Sequence, residues 1–247
     1  MASPHPAPSI RLYVPHDLGA AATVPLDEKQ AHYLKNVMRL GPGDALLVFN
    51  GLDGEWRATV EALGRREGAL QVGERARAHV DEPDLWLVFT PIKKARLDVT
   101  IEKAAELGAS RLVPVLSAHT SVRDLNQTRA QALVIEAAEQ CGRMTVPEVV
   151  AVEPLAAVLD AWPADRRLLF CDESGAGTPI ATAMAGEAPG SWAVLIGPEG
   201  GFSADERAMI VAKPFAVPVA LGPRVLRADT AAIAALTMVQ AHLGDWR

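Results

Sequence analysis

Residues 193–203 read Ala193-Val-Leu-Ile-Gly-Pro-Glu-Gly-Gly-Phe-Ser203, an apolar run that breaks into a glycine-rich loop. A second stretch, Ala220-Leu-Gly-Pro-Arg-Val-Leu-Arg227, repeats the same order of strand end, Gly-Pro and loop. In parallel α/β sheets, ligands bind outside the carboxyl ends of the strands, and glycines there let a ligand approach the main chain. Neither stretch contains a known glycine-rich phosphate motif. The two loops therefore predict a ligand site that is built without such a motif.

The chain from residue 85 onward alternates strands with helices. We predict strands at 85–89, 111–116, 168–171, 193–196 and 217–221, and helices at 96–107, 128–141, 203–211 and 230–243. This alternation is typical of a mostly parallel sheet that is covered by helices on both faces. The run Ser203-Ala-Asp-Glu206 has the form of a capping box, which predicts the start of the helix at 203–211.

Residues 1–77 show a different pattern, in which short β-rich runs are separated by turn signals. We predict strands at 10–14, 46–49, 56–61 and 69–78, and one helix at about 27–38 whose core face carries Leu34, Val37 and Met38. This spacing predicts a small β-barrel. The polar stretch 80–84 is typical of a linker. We therefore expect two domains, 1–77 and 78–247.

Composition excludes several classes of protein. The longest apolar runs are far too short for a membrane span, and the first residues lack the basic and apolar regions of a secretory signal. Cys141 and Cys171 have no metal-type spacing, and we predict two buried thiols rather than a disulfide. We expect no metal site and no membrane partner.

The net charge of −6 argues at first sight against a nucleic-acid partner, because phosphate binding requires lysine and arginine. However, residues 1–80 hold 9 Lys+Arg and 9 Asp+Glu, so the whole excess of acidic over basic residues lies in residues 81–247. The basic residues near the motifs of this part of the chain are Lys93, Lys94, Arg96, Lys103, Arg143, Arg224 and Arg227. We expect them to form a local basic cleft on an acidic body.

Five runs of the sequence together resemble the bacterial 16S rRNA (uracil-N3)-methyltransferases, a branch of the SPOUT superfamily of knotted methyltransferases. The runs are His32-Tyr-Leu-Lys-Asn-Val-Met-Arg-Leu-Gly-Pro-Gly-Asp44, Ile101-Glu-Lys-Ala-Ala-Glu-Leu-Gly108, Glu136-Ala-Ala-Glu-Gln-Cys-Gly-Arg143, Ile196-Gly-Pro-Glu-Gly-Gly-Phe-Ser203 and Leu221-Gly-Pro-Arg-Val-Leu-Arg227. They keep the order and spacing of the family from one end of the chain to the other.

The resemblance implies more than the residues show by themselves. The N-terminal barrel is expected to be a PUA-like RNA-binding domain, and the α/β domain to be a SPOUT methyltransferase domain with a trefoil knot, an exception to the rule that chains do not thread loops. The expected cofactor is S-adenosylmethionine. The expected substrate is N3 of one uridine in the 16S rRNA of the small ribosomal subunit. The resemblance also implies a cytoplasmic homodimer.

Site residues carried over from the resemblance fall into three groups. The expected cofactor-binding residues are Leu195, Ile196, Gly197, Glu199, Gly200, Gly201, Leu221, Gly222, Arg224, Val225, Leu226 and Thr230. The expected RNA-binding residues are His32, Arg39, Lys93, Lys94, Arg96 and Lys103. The expected catalytic residues are Arg227, Arg143 and Glu199.

Two questions stay open at the level of the sequence. Either Glu199 or Asp229 is able to accept the proton that uracil N3 must lose. A non-catalytic ribosome-binding or assembly factor that retained the fold is the alternative function, although Gly197, Gly200 and Gly222 are all in place. A weaker third hypothesis, an enzyme that acts on a small nucleotide, leaves the N-terminal barrel unexplained.

Overall fold

The computed structural model describes residues 10–247, with the exception of the Lys94 side chain. The chain divides into two compact units. The first unit comprises residues 1–81, of which 1–9 lie outside the described residues, together with Ala138–Val146. The second comprises Glu82–Ala137 and Pro147–Arg247. The inclusion of Ala138–Val146 in the first unit had no signal in the sequence.

The first unit contains a five-stranded sheet in the order β1-β3-β4-β5-β2. Its strands are β1 (Arg11–Tyr13), β2 (Thr23–Leu26), β3 (Ala45–Phe49), β4 (Glu55–Leu63) and β5 (Gly68–Arg77). The β1–β3 pairing is parallel and the other pairings are antiparallel. All five strands contribute buried apolar residues to one core, as expected for a small β-barrel. The four strands predicted from the sequence are confirmed, whereas β2 was missed.

The predicted helix of the first unit is half right. Helix α1 (Glu28–His32) begins at the Asp27 cap and continues into a π-helical turn, Tyr33–Val37. The wider i→i+5 turn rotates the side chains that follow it away from the register of an α-helix. Leu34 is buried as predicted, but Val37 is 57% exposed, so its predicted position in the core is wrong.

The second unit contains an eight-stranded sheet in which every pairing is parallel. Its strands are β6 (Leu85–Phe89), β7 (Arg111–Leu116), β8 (Glu148–Val149), β9 (Glu153–Pro154), β10 (Arg167–Cys171), β11 (Thr178–Pro179), β12 (Trp192–Ile196) and β13 (Ala216–Ala220). The order is β11-β13-β10-β12-β6-β7-β8, and β9 also pairs with β7. The predicted parallel α/β architecture is confirmed, and the trefoil knot stays a prediction.

Helices cover this sheet. They are α2 (Lys94–Glu106), α3 (Gln127–Cys141), α4 (Leu155–Asp160), α5 (Ile180–Ala183), α6 (Ala204–Val211) and α7 (Ala228–Leu243). Helices α4 and α6 contribute to one core cluster with the sheet, while α2 packs on α7 and α7 lies against β12. All residues of the central strand β12 are buried, so both of its faces are covered. Helices α4 and α5 are short and were not predicted.

Both cysteines are free thiols. Cys171 is buried at the end of β10, and burial raises the pKa of its thiol to about 12. Cys141 is exposed, so the prediction of a second buried thiol is wrong. Within residues 10–247, no helix is both long and apolar enough to cross a membrane. The same residues contain no group of three His, Cys, Asp or Glu side chains placed to hold a metal ion.

Candidate active site

A cavity of about 670 Å³ opens at the carboxyl ends of three neighbouring strands in the second unit. Strands β13, β10 and β12 are adjacent in the sheet, and the loop after each of them contributes to the lining. This is the edge at which parallel sheets bind ligands, and the volume lies within the roughly 300–1,000 Å³ typical of sites for small organic molecules. The lining comprises residues 171–175, 196–199, 201 and 221–228, with Arg96 and Ala231.

The loop after β12 depends on glycine at two positions. Gly201 has a φ of +71°, and a Cβ there would lie 2.5 Å from Oε1 of Glu173. A Cβ on Gly197 would lie 2.6 Å from the ring of Phe202. His119 Nδ1 lies within hydrogen-bond distance, 2.9 Å, of the Gly201 carbonyl oxygen, which fixes the far side of the loop. Close packing therefore requires glycine at both positions, and the positive φ requires it at Gly201 as well.

We expect Gly197→Ala to lower the free energy of unfolding by about 1–3 kcal/mol, because the added methyl group overlaps a ring that is itself packed in the core. Phe202 is buried and lies 5.5 Å from the ring of Phe170, so it has little room to move. Denaturant unfolding measures the effect. The matched control is Gly190→Ala, where a Cβ meets nothing within 4 Å. An equal change in the two variants would contradict this account.

The loop after β13 presents its main chain to the cavity. Gly222 has a φ of +111°, which a residue with a side chain adopts only with strain. Within the described part of the chain, the backbone groups of residues 222–226 make no hydrogen bond. Residues 222–225 are exposed, so their backbone groups are available to water or to a bound molecule rather than to other parts of the chain. This loop therefore offers several donors and acceptors to a bound molecule.

The loop after β10 lies between the other two and was not predicted. It supplies Asp172, Glu173 and Ser174 to the lining. Asp172 is 8% exposed and accepts hydrogen bonds from the Ser174 backbone and from Arg207. Burial acts to raise the pKa of Asp172, but these donors outweigh it and hold the pKa below its usual value. The cavity wall thus contains an ionised carboxylate at neutral pH.

Three arginines line the cavity. Arg224 and Arg227 lie in the loop after β13, and within residues 10–247 neither guanidinium makes an ion pair or hydrogen bond. Arg96, in the first turns of α2, has Nη1 at 3.6 Å from Oε1 of Glu199. The site therefore combines two uncommitted cations, Arg224 and Arg227, with three carboxylates that each already face an arginine. Such groups suit an anionic or polarised substrate.

The structure brings most of the predicted cofactor-binding residues together. Nine of them line the cavity, namely Ile196, Gly197, Glu199, Gly201, Leu221, Gly222, Arg224, Val225 and Leu226. The other three do not line it: Leu195 is buried in β12, Gly200 faces His119, and Thr230 lies exposed in the first turn of α7. Asp229 does not line the cavity either, although its Oδ1 is buried without a partner among the described residues.

The predicted RNA-binding and catalytic residues are distributed over both units. His32 and Arg39 lie exposed in the first unit, where Arg39 has a φ of +59°. In the second, Lys93 is exposed, Lys103 binds Glu106 at 2.6 Å, and the Lys94 side chain lies outside the described residues.

The predicted catalytic residue Arg143 belongs to the first unit and does not line the cavity. Its side chain donates to Thr145, and its carbonyl oxygen accepts from Arg11.

Known proteins resemble this chain over almost its whole length. The RNA methyltransferase domain model matches residues 80–240, and the RNA methyltransferase PUA domain model matches residues 26–72. "Ribosomal RNA small subunit methyltransferase E" of Synechocystis sp. is 32% identical, with 94% of this chain and 78% of the relative covered. Its counterpart from Rickettsia conorii is 29% identical, with 93% and 94% covered. The crystal structure of a ribosomal RNA small subunit methyltransferase E from Neisseria gonorrhoeae bound to S-adenosyl methionine superposes with a TM-score of 0.86 at 28% identity, covering 96% of this chain and 99% of that one.

Proposed function

The chain belongs to the ribosomal RNA small subunit methyltransferase E family, and from that premise we propose that it transfers a methyl group from S-adenosylmethionine to N3 of one uridine in 16S rRNA. The observation that carries this proposal is the cavity at the ends of β10, β12 and β13, with its unpaired main-chain groups. The relative from N. gonorrhoeae, which covers nearly the whole chain, was solved with this cofactor bound.

The described residues fit S-adenosylmethionine. The backbone of residues 222–226 is free to donate to and accept from an adenine ring, and a side chain in place of Gly222 would be strained by the positive φ. The ionised Asp172 and its neighbour Glu173 place negative charge in the wall, which suits a cationic ligand. When bound, this cofactor supplies an electrophilic methyl group.

In the proposed mechanism, the cavity residues prepare the acceptor. Uracil N3 carries a proton at neutral pH and is a poor nucleophile, so the enzyme must remove that proton and stabilise the negative charge left on the imide. We assign the second task to Arg227, whose guanidinium is uncommitted and lines the cavity. Glu199 also lines the cavity and is our choice of proton acceptor over Asp229, which does not. Arg143 does not line the cavity, and its catalytic role stays a prediction.

The remaining parts of the proposal concern the partners. The expected substrate is the 16S rRNA of the small ribosomal subunit in the cytoplasm, and the target uridine must be splayed out of its stack to reach the cavity. We assign RNA contacts to Arg96, Lys93 and the first unit, whose residues 26–72 match a PUA domain. We also propose a homodimer, for which sedimentation is expected to give twice the chain mass of 26.2 kDa.

Two measurements test the proposed function. Titration calorimetry is expected to show saturable binding of S-adenosylmethionine, and incubation with small ribosomal subunits that lack this modification is expected to add one methyl group to one uridine. Mass mapping of the digested rRNA, with N3-methyluridine as standard, locates that group. Cofactor binding without any methyl transfer would favour the non-catalytic factor. A methyl group on a ribose, on C5 or on free nucleotides would contradict the proposed specificity.

A further inference from the structure

A charged network beside the cavity contains none of the residues that the sequence suggested for the site. Arg207, in α6, donates from Nη1 to the carboxylate of Asp172 and from Nη2 to Oε1 of Glu173 at 2.9 Å. Asp172 and Glu173 line the cavity, whereas Arg207 does not. One guanidinium outside the cavity thus binds two consecutive carboxylates that line it, through the two Nη groups of its planar head.

The same network joins two of the three loops of the cavity. Oε1 of Glu173 also accepts from the backbone N–H of Phe202 at 3.3 Å, and it lies so close to Gly201 that a Cβ there would be 2.5 Å away. Arg207 follows Phe202 and Gly201 by only a few residues, since the loop after β12 leads directly into α6. The position of Glu173 against the glycine loop therefore depends on the group that holds its carboxylate.

Electrostatics explains why a cation is needed at this place. Asp172 is buried, and Glu173 follows it directly, so two negative charges lie side by side at the wall. Without a cation they would repel each other, and the half-exposed Glu173 is free to turn towards water. Together with Arg207 the network keeps a net charge of −1, which still favours a cationic ligand in the cavity.

We propose that Arg207 is a positioning residue for the cofactor cavity, which sets the affinity for S-adenosylmethionine by holding the Asp172–Glu173 wall against the glycine loop. This inference rests on the proposed function for the identity of the ligand. The positioning role of Arg207 goes beyond the proposed function, because it assigns part of the affinity to a side chain that lies outside the cavity.

The test compares Arg207→Ala, Arg207→Lys, Glu173→Gln and the double variant Arg207→Ala/Glu173→Gln with the wild-type protein. We expect the dissociation constant for S-adenosylmethionine to rise about 10-fold or more in Arg207→Ala, because a displaced wall misplaces several ligand contacts at once. Arg207→Lys keeps the positive charge but cannot donate from two Nη groups at once. Its affinity for S-adenosylmethionine is expected to lie between those of Arg207→Ala and the wild type. The double variant Arg207→Ala/Glu173→Gln is expected to lose little more than Arg207→Ala alone, because the two residues act as one unit.

The matched control is Arg129→Ala, which breaks an exposed ion pair with Asp98 in the same unit. The dissociation constant of this variant for S-adenosylmethionine is expected to equal that of the wild type. Thermal unfolding without cofactor, and calorimetry well below the melting temperatures, separate affinity from stability. A lower melting temperature in Arg207→Ala and Arg207→Lys with unchanged dissociation constants would overturn this inference alone. Failure of the wild-type protein to bind S-adenosylmethionine would overturn the proposed function first. If Arg207→Ala does not fold, Arg207→Lys and Glu173→Gln decide the question by the same criterion.

Discussion

Arg227→Ala is expected to lower the rate of methyl transfer by about 100- to 1,000-fold, which is the usual effect of removing one donor from a developing anion. The dissociation constant for S-adenosylmethionine is expected to stay within a few-fold of the wild-type value. The two effects separate because Arg227, as the N-cap residue of α7, makes no side-chain capping bond, so its removal leaves the helix start and the loop backbone in place.

The pH dependence of this variant gives a sharper test than its rate at one pH. Arginine stays charged at all accessible pH values, so its role on the imide anion is to make deprotonation of N3 easier. Without it, rising pH is expected to restore part of the activity, since more of the substrate loses its proton to solvent. The methylation rate of Arg227→Lys is expected to lie between those of the wild type and Arg227→Ala. Single-turnover methylation of small ribosomal subunits from pH 6 to 9 measures the profile.

Arg129→Ala is again the control, since it removes a guanidinium from the same unit without touching the cavity. Wild-type turnover in Arg227→Ala would remove Arg227 from the mechanism. An equal loss of cofactor affinity and rate would assign it to binding rather than to the chemical step.

Most predictions that depended on local sequence were confirmed, although the core position of Val37 was wrong. Predictions that depended on neighbours in space were incomplete. Periodicity and turn residues gave the parallel sheet and its main helices because these signals lie within a few residues of each other. The capping box at Ser203 was confirmed for the same reason. Strand β2 was missed because its local signal is weak, since Thr23–Leu26 is a four-residue edge strand that contains a proline.

The candidate site shows the same division. Two of its three loops carry Gly-Pro after a strand and were found. The third, residues 171–175, carries no Gly-Pro, and only the sheet order β13-β10-β12 places it between the other two. Arg207 had no signal at all, because its partners lie 34 and 35 positions away in the chain. A motif identifies the groups that face a ligand, whereas the groups that support them are defined by the tertiary structure.

The segment that ends in Arg143 illustrates a different limit of motif reasoning. Its main chain is held by two arginines of the first unit: Arg11 donates to the carbonyl oxygens of Ala138, Glu139 and Arg143, and Arg77 donates to that of Gly142. Ala138 and Glu139 lie in the last turn of helix α3, and Gly142 and Arg143 follow its end at Cys141. The last carbonyls of a helix have no partner within it and need donors or cations. A family motif is therefore also compatible with a structural role, here the satisfaction of a helix end.

Glu55→Ala is expected to lower the free energy of unfolding by about 3–5 kcal/mol, the usual cost of removing one partner from a buried ion pair. Glu55 is 2% exposed and binds both arginines, Arg11 at 2.6 Å and Arg77 at 2.8 Å. Its loss leaves the charge of Arg11 buried without a carboxylate and releases the donors that hold residues 138–143. Denaturant unfolding measures the loss. The matched control is Glu74→Ala on the same sheet, whose exposed pair with Arg57 is expected to contribute less than about 1 kcal/mol.

The dependence of the free energy of unfolding on pH provides a second test of this ion pair. Burial acts to raise the pKa of Glu55, but hydrogen bonds from Arg77 and Arg11 outweigh it, so the pKa in the folded protein lies below its value in the unfolded chain. The stabilisation from Glu55 is therefore complete above its ordinary pKa of 4.5 and is lost as the pH falls through the lowered value. Glu55→Gln, which cannot ionise, is expected to show a flatter decline of stability below pH 5 than the wild type. Parallel declines in the two proteins would mean that Glu55 does not hold these arginines as an ion.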